Sequence, residues 1–187
     1  MALPLLSPAL VTALSSADQR RNLVPYSEDA SQWAVVGTTV SGPLGLNALG
    51  QFSGYAIASS GSQWHRSTIV ELPVLAGEIY SVRLFVRTGT SGSMRIMARY
   101  IDTTTTSDNL VGAPGSLPAS SGSIALVSDT LREDGLTYEI VFRVTAPRAT
   151  NFQLGLGPNS DAAGENIIAL AAQVELGATA TAYQPTP

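Results

Sequence analysis

The sequence predicts an all-β protein, a jelly-roll-like antiparallel β-sandwich with a short helical N-terminal arm. Three observations lead there. Short apolar runs alternate with polar residues at period two, and clusters of Gly, Ser, Thr, Pro and Asn separate the runs. After Arg21 the apolar positions no longer recur at helical spacing. Strands never alternate with helical segments, so a parallel sheet is not indicated, and many short strands with turn-rich joints build sandwiches.

The elements follow in order. Ser7 is a serine N-cap, and Pro8 stands at the first helical position, where its missing N–H is harmless. Leu10, Val11, Leu14 and Ala17 then share one face of a helix from about Pro8 to Gln19. Residues 1–21 read as an apolar anchoring arm and 22–187 as the sandwich. Leu3, Leu5, Leu6, Leu10, Val11 and Leu14 put more apolar area on the arm than so short a segment can bury alone, so we expect it to dock on a neighbour. The stretch Met1 to Ala17 has the small-residue ending of a signal peptide. It lacks a positive start, however, and Pro4 and Pro8 interrupt it, so no targeting signal and no membrane insertion are expected.

The first strand is expected at Trp33 to Val40, closed by Gly42-Pro43, with Trp33 as a core residue. Leu44 to Ile57 holds one irregular strand, and Trp64 to Leu72 forms a strand ending at Pro73. In Ile79 to Arg87, Tyr80, Val82, Leu84 and Val86 face one way, and Ser81, Arg83, Phe85 and Arg87 the other. Met94 to Ile101 follows, then a short Ile124 to Val127. Tyr138 to Val144 turns Tyr138, Ile140, Phe142 and Val144 inward. Phe152, Leu154 and Leu156 mark a further strand, and Ile168, Leu170, Ala172, Val174 and Leu176 one face of the last. Thr103 to Ser107 and Gly112 to Gly122 read as loops.

Composition removes whole classes of chemistry. Hydrophobic residues make up 44% of the 187, enough for a core, and charged residues only 13%. Lysine is absent and all ten basic residues are arginine; with a net charge of −4 and no basic block, nucleic acid is not an expected partner. Without cysteine there are no disulfides, thiolate zinc sites or thiol catalysis. His65 is the single histidine, so the chain has no two-imidazole site, and no G-x-S-x-G elbow occurs. Glu71 and Glu139 could make a glycosidase pair only if the fold joined them. No enzyme is expected.

A saccharide site needs aromatic faces with forked donors and acceptors around them. The densest such cluster is Gln63, Trp64, His65 and Arg66, with Tyr55 on the preceding segment. Arg83, Phe85 and Arg87 share an outward face that Arg99 can join. Asn159, Asp161 and Glu165 fall in one loop and are weak candidates for structural calcium; no other cofactor or metal is expected.

Three segments carry a family resemblance. Asn22-Leu23-Val24-Pro25-Tyr26-Ser27-Glu28-Asp29-Ala30-Ser31-Gln32-Trp33 resembles the opening of the carbohydrate-binding-module-like jelly rolls of phage virion proteins. Leu75 to Arg87 resembles their A-G-x-x-Y-x-x-S-x-Y/F-V-K/R strand. Ala172 to Thr186, reading AQVELGATATAYQPT, resembles their closing A-Q-L-E-x-G-x-x-A-T-x-Y-x-P-T. The resemblance implies a structural protein of a tailed phage or phage-like particle such as a gene transfer agent, made in the bacterial cytoplasm and carried in the virion. Its place would be a head spike, head fibre or tail fibre. It also implies other virion proteins as partners at a capsid vertex, fibre or tail, and a homo-oligomer, trimer or pentamer, held by the arm. The alternative is a glycan-binding receptor module that contacts host surface polysaccharide.

Overall fold

A computed structural model describes residues 21–45, 53–62 and 66–187; residues 1–20 of the 1–21 arm, with its expected helix, lie outside the described residues. Among the described residues the strands are β1 (Ala34–Val36), β2 (Thr38–Ser41), β3 (Tyr55–Ser59), β4 (Arg66–Val74), β5 (Ile79–Thr88), β6 (Met94–Ile101), β7 (Thr106–Gly112), β8 (Ser120–Ser121), β9 (Ile124–Leu131), β10 (Tyr138–Thr145), β11 (Thr150–Pro158) and β12 (Asn166–Leu176). Helix is confined, among those residues, to a 3-10 turn at Ala30–Gln32. None of the described helices is long and apolar enough to cross a membrane. The strands make two antiparallel sheets, β1-β4-β11-β6-β7 and β2-β3-β12-β5-β10-β9-β8.

Alternation supplies the core. From β5 come Tyr80, Val82, Leu84 and Val86, from β10 Ile140, Phe142 and Val144, from β6 Ile96, Ala98 and Tyr100, and from β11 Phe152, Leu154 and Leu156. Tyr80 and Tyr100 bracket the Phe152 ring, with centroids 6.2 and 5.7 Å away. Trp33 is buried at the sandwich edge and donates its indole N–H to the Tyr26 carbonyl at 3.2 Å.

The structure departs from the expected elements at instructive points. The strand expected at Trp33 to Val40 is split at Gly37, whose φ of 62° suits glycine; β1 then pairs with β4, and β2 pairs with β3 in the other sheet. Pro73 lies inside β4 rather than ending it. There β1 no longer flanks the strand, so a missing N–H falls beside a free edge. β9 runs on to Leu131, and β7 and β8 replace parts of the expected loops. β7 is a polar edge strand whose buried apolar residue is Leu110, so its alternation is faint in the sequence. In β12 a bulge between Ala169 and Ala171 reverses the faces. Ile167 and Ala169 point to the core before it, Ala172 and Val174 after it, and Leu170 turns to the outer side with Ala171. Ile168, Leu170, Ala172, Val174 and Leu176 therefore do not share one face, and Leu176 is exposed.

Candidate functional site

The outer face of the five-stranded sheet follows from the strands' period. With Ile96, Ala98 and Tyr100 inward, β6 must turn Arg95, Met97 and Arg99 outward, and β11 likewise turns out Gln153 and Gly155. Register then sets the rows. Glu71, Gln153, Arg99 and Ser107 lie side by side across β4, β11, β6 and β7, and Thr68, Gly155, Met97 and Asn109 form the next row. On the β1 side Val36 pairs with Arg66. A groove of about 380 Å³ opens there, lined by Val36, Arg66, Met97, Arg99 and Thr105–Ser107.

The two guanidiniums of the groove differ in their surroundings. Arg99 donates to Gln153 Oε1 at 3.1 Å, and Gln153 donates to Glu71 Oε2 at 2.7 Å, a polar ladder across the strands. Arg66 makes no side-chain hydrogen bond or ion pair among the described residues, and its Nε is buried without a partner. Burial, and then the like charge of Arg99, pull its pKa below the usual arginine value, yet arginine stays charged at any physiological pH. Gly155 makes this arrangement possible. A Cβ there would stand 3.1 Å from both Arg66 Cδ and Met97 Cε, so the bare backbone lets the arginine stem lie across β11. Val36 and Met97 supply apolar surface and Ser107 a hydroxyl, while Thr105 Oγ1 donates to the Asp102 carbonyl at 3.2 Å and Thr106 Oγ1 accepts from Arg148 at 3.1 Å.

Among the described residues, the expected saccharide candidates Tyr55, Arg66, Arg83, Phe85 and Arg87 do not converge. Gln63, Trp64 and His65, which immediately precede Arg66 in the chain, lie outside the described residues. Tyr55 belongs to the buried core, and burial, then Asp29, raises its hydroxyl pKa. Arg83, Phe85 and Arg87 sit on β5 in the other sheet, and their face is covered. The Tyr183 ring meets Phe85 edge-on at 5.3 Å, and the Arg132 guanidinium lies 5.2 Å from the Phe85 centroid. Arg83 pairs with Glu139 and donates to the Thr181 carbonyl at 2.9 Å. Arg87 donates to Thr137 Oγ1 at 3.2 Å and approaches Asp134 at 3.5 Å. Arg99, expected beside Arg83, Phe85 and Arg87, instead joins Arg66, because β6 belongs to the five-stranded sheet and β5 to the other. Glu71 and Glu139 lie on different sheets. In the loop after β11, Asn159 Oδ1 accepts from Arg95 at 3.1 Å. Among the described residues no group of three or more His, Cys, Asp or Glu could hold a metal ion.

A smaller cavity of about 270 Å³ lies on the seven-stranded sheet beneath the chain's last segment, lined by Ser81, Arg83, Glu139, Arg143 and Ala178–Ala180 among others. That last segment also explains the sequence motifs. Asn22 donates to the carbonyls of Ala172 and Gln184 at 3.1 and 2.9 Å, and its Oδ1 accepts from the N–H groups of Val24 and Val174 at 3.1 and 3.0 Å. Ser27 Oγ meets Tyr183 Oη at 2.9 Å and accepts from Thr186 N at 2.8 Å. Buried Gln173 donates to Glu175 at 2.8 Å and accepts from Gln184 N at 2.6 Å, while Glu175 accepts from Thr181 N at 2.8 Å. The opening and closing motifs are thus one polar clasp that seals the sandwich.

No protein-family model matches this chain, and no curated protein matches it either. A solved structure does. It holds the CBM22-1 and GH10 modules of an endo-1,4-β-D-xylanase from Clostridium thermocellum, complexed with xylohexaose. The match has a TM-score of 0.50 at 14% identity and covers 88% of this chain. This chain spans only 29% of that one. The likeness is one of fold alone, an antiparallel jelly-roll-like β-sandwich.

Proposed function

We propose that this protein is a glycan-binding β-sandwich module and that the outer face of β1-β4-β11-β6-β7 is its saccharide face. The observation that carries the reading is the groove at Arg66 and Arg99. Its lining combines apolar surface for the C–H face of a sugar ring from Val36 and Met97, the guanidinium forks of Arg66 and Arg99, and the Ser107 hydroxyl. The fold supports it, since the similar sandwich belongs to a xylanase solved with xylohexaose. The face of Arg83 and Phe85 is closed by the C-terminal segment and is not assigned this role. A glycan array with the whole chain tests the reading. Binding to at least one polysaccharide class, weakened by Arg99→Ala without loss of melting temperature, is the expected result. Silence across an array of host-surface polysaccharides removes it.

A second reading rests on the motif resemblance. Here the chain is a structural component of a phage or gene-transfer-agent virion, in a head spike, head fibre or tail fibre. It is held as a trimer or pentamer through Leu3, Leu5, Leu6, Leu10, Val11 and Leu14 of the arm. The clasp favours it, because the motif residues act in the fold and need no ligand. Deleting Ala2 to Ala17 separates the two. Loss of incorporation into particles with glycan binding retained supports an anchored virion module, and unchanged incorporation removes the anchoring role.

A further inference from the structure

The groove's charge goes beyond a generic saccharide face. Arg66 and Arg99 line one cavity, and the pKa of Arg66 is lowered in part by Arg99, so the two positive charges act on each other. Their surroundings supply little compensation. Arg66 has no acidic partner among the described residues and a buried, unpaired Nε. Arg99 is tied to a neutral amide oxygen. Glu71, the acid of this row, stands beyond Gln153 on β4 and accepts from the Gln153 amide. Asp102, in the turn before Thr105, is clamped by Arg148, and Asp108, next to Ser107, accepts from the Ser123 N–H at 2.9 Å. The chain as a whole is acidic, with a net charge of −4, which makes a local pair of unneutralised guanidiniums a deliberate-looking departure. An anion between them would relieve their mutual repulsion. Planar guanidinium forks suit a carboxylate.

Resting on the glycan reading, we propose that the groove selects acidic saccharides: a ring carboxylate sits between Arg66 and Arg99, with the ring's apolar face on Val36 and Met97. Ser107, which pairs with Arg99 on the same face, then meets a ring hydroxyl.

Calorimetric titration of the full chain tests this, with an oligogalacturonate, a glucuronic-acid-substituted xylo-oligosaccharide, the unsubstituted xylo-oligosaccharide and sodium acetate as probes. At low salt an acidic probe is expected to bind about tenfold or more tighter than the neutral one, as a charge-assisted fork requires. The gap narrows as salt is raised through about 0.3 M, because the groove is open to solvent. Arg66→Gln and Arg99→Gln each bring the acidic probe toward the neutral affinity while the melting temperature holds. If acidic and neutral probes bind alike, the charge selection is wrong and the glycan reading stands. If neither saccharide binds while the array shows another ligand, acidic selection is overturned; if the array is silent too, the glycan reading fails and takes this inference with it. If acetate competes at the same concentration as the acidic saccharides, the site takes a free carboxylate and saccharide selection is overturned.

Discussion

Replacing Asn22 by alanine tests whether the two ends of the chain really lock the sandwich. The Asn22 side chain is 6% exposed and bonds residues about 150 positions away in sequence, Ala172, Val174 and Gln184, as well as nearby Val24. Alanine leaves the N–H groups of Val24 and Val174 without this acceptor in a buried setting. A buried donor stripped of its partner costs about 1–3 kcal/mol. The carbonyls of Ala172 and Gln184 keep their other lone pairs, and Gln184 lies near solvent, so their loss adds less. The sum is about 3 kcal/mol. For a chain of this length that lowers Tm by about 6–12 °C. Thermal unfolding followed by far-UV circular dichroism, with urea titration for the midpoint, measures it. Asn22→Asp distinguishes geometry from chemistry. It keeps the acceptor but points a carboxylate at the Ala172 and Gln184 carbonyls, so it should melt well below the wild type too. Because Asn22 also holds Gln184, both variants should cleave faster after Gly177 in limited proteolysis. A melting temperature for Asn22→Ala within about 2 °C of the wild type, below what one lost buried bond produces, would refute the clasp.

Other outcomes are equally specific. Asp134 accepts from the Thr137 hydroxyl at 2.6 Å and from the Thr137 and Leu136 N–H groups at 2.8 and 3.0 Å. Burial pushes its pKa up, but those bonds and Arg87 outweigh it and hold the carboxyl at about 2. Its stabilisation is therefore present above pH about 4 and lost as pH falls through about 2. It amounts to roughly 1 kcal/mol after solvent screening, and Asp134→Asn should flatten that part of the acid-unfolding curve. Tyr183→Phe removes the bond to Ser27 and should cost about 1 kcal/mol; Tyr183→Ala also uncovers Phe85 and should cost about 3 kcal/mol, read from urea midpoints. Gly155→Ala places a Cβ 3.1 Å from the Arg66 stem, so it should displace the arginine and weaken acidic-saccharide binding by about tenfold. Its stability should change by less than about 1 kcal/mol, because the crowded atoms belong to flexible arginine and methionine side chains rather than to backbone. Equal saccharide affinity in Gly155→Ala and wild type would show that Arg66 does not contact the ligand.

By itself the sequence determined which residues are buried along most strands. Tyr80, Val82, Leu84 and Val86, or Ile140, Phe142 and Val144, repeat every second position, and a strand with one wet face has no other way to bury them. It also determined the absent chemistry, since a chain without cysteine or lysine and with a single histidine holds few catalytic constellations. Only the tertiary structure decided what period two cannot encode. The break at Gly37 sends neighbouring strands to different sheets, and the bulge at Leu170 reverses a face within one apolar run. Outward alternation marked Arg83, Phe85 and Arg87 correctly as facing away from the core. Whether that face meets water depends on Tyr183 and Thr181, nearly a hundred residues later, which return to cover it. Arg66 and Arg99 come together for the converse reason. β11 enters the sheet between β4 and β6 with a glycine at the crossing, and that strand order is a long-range pairing with no local signature in the sequence.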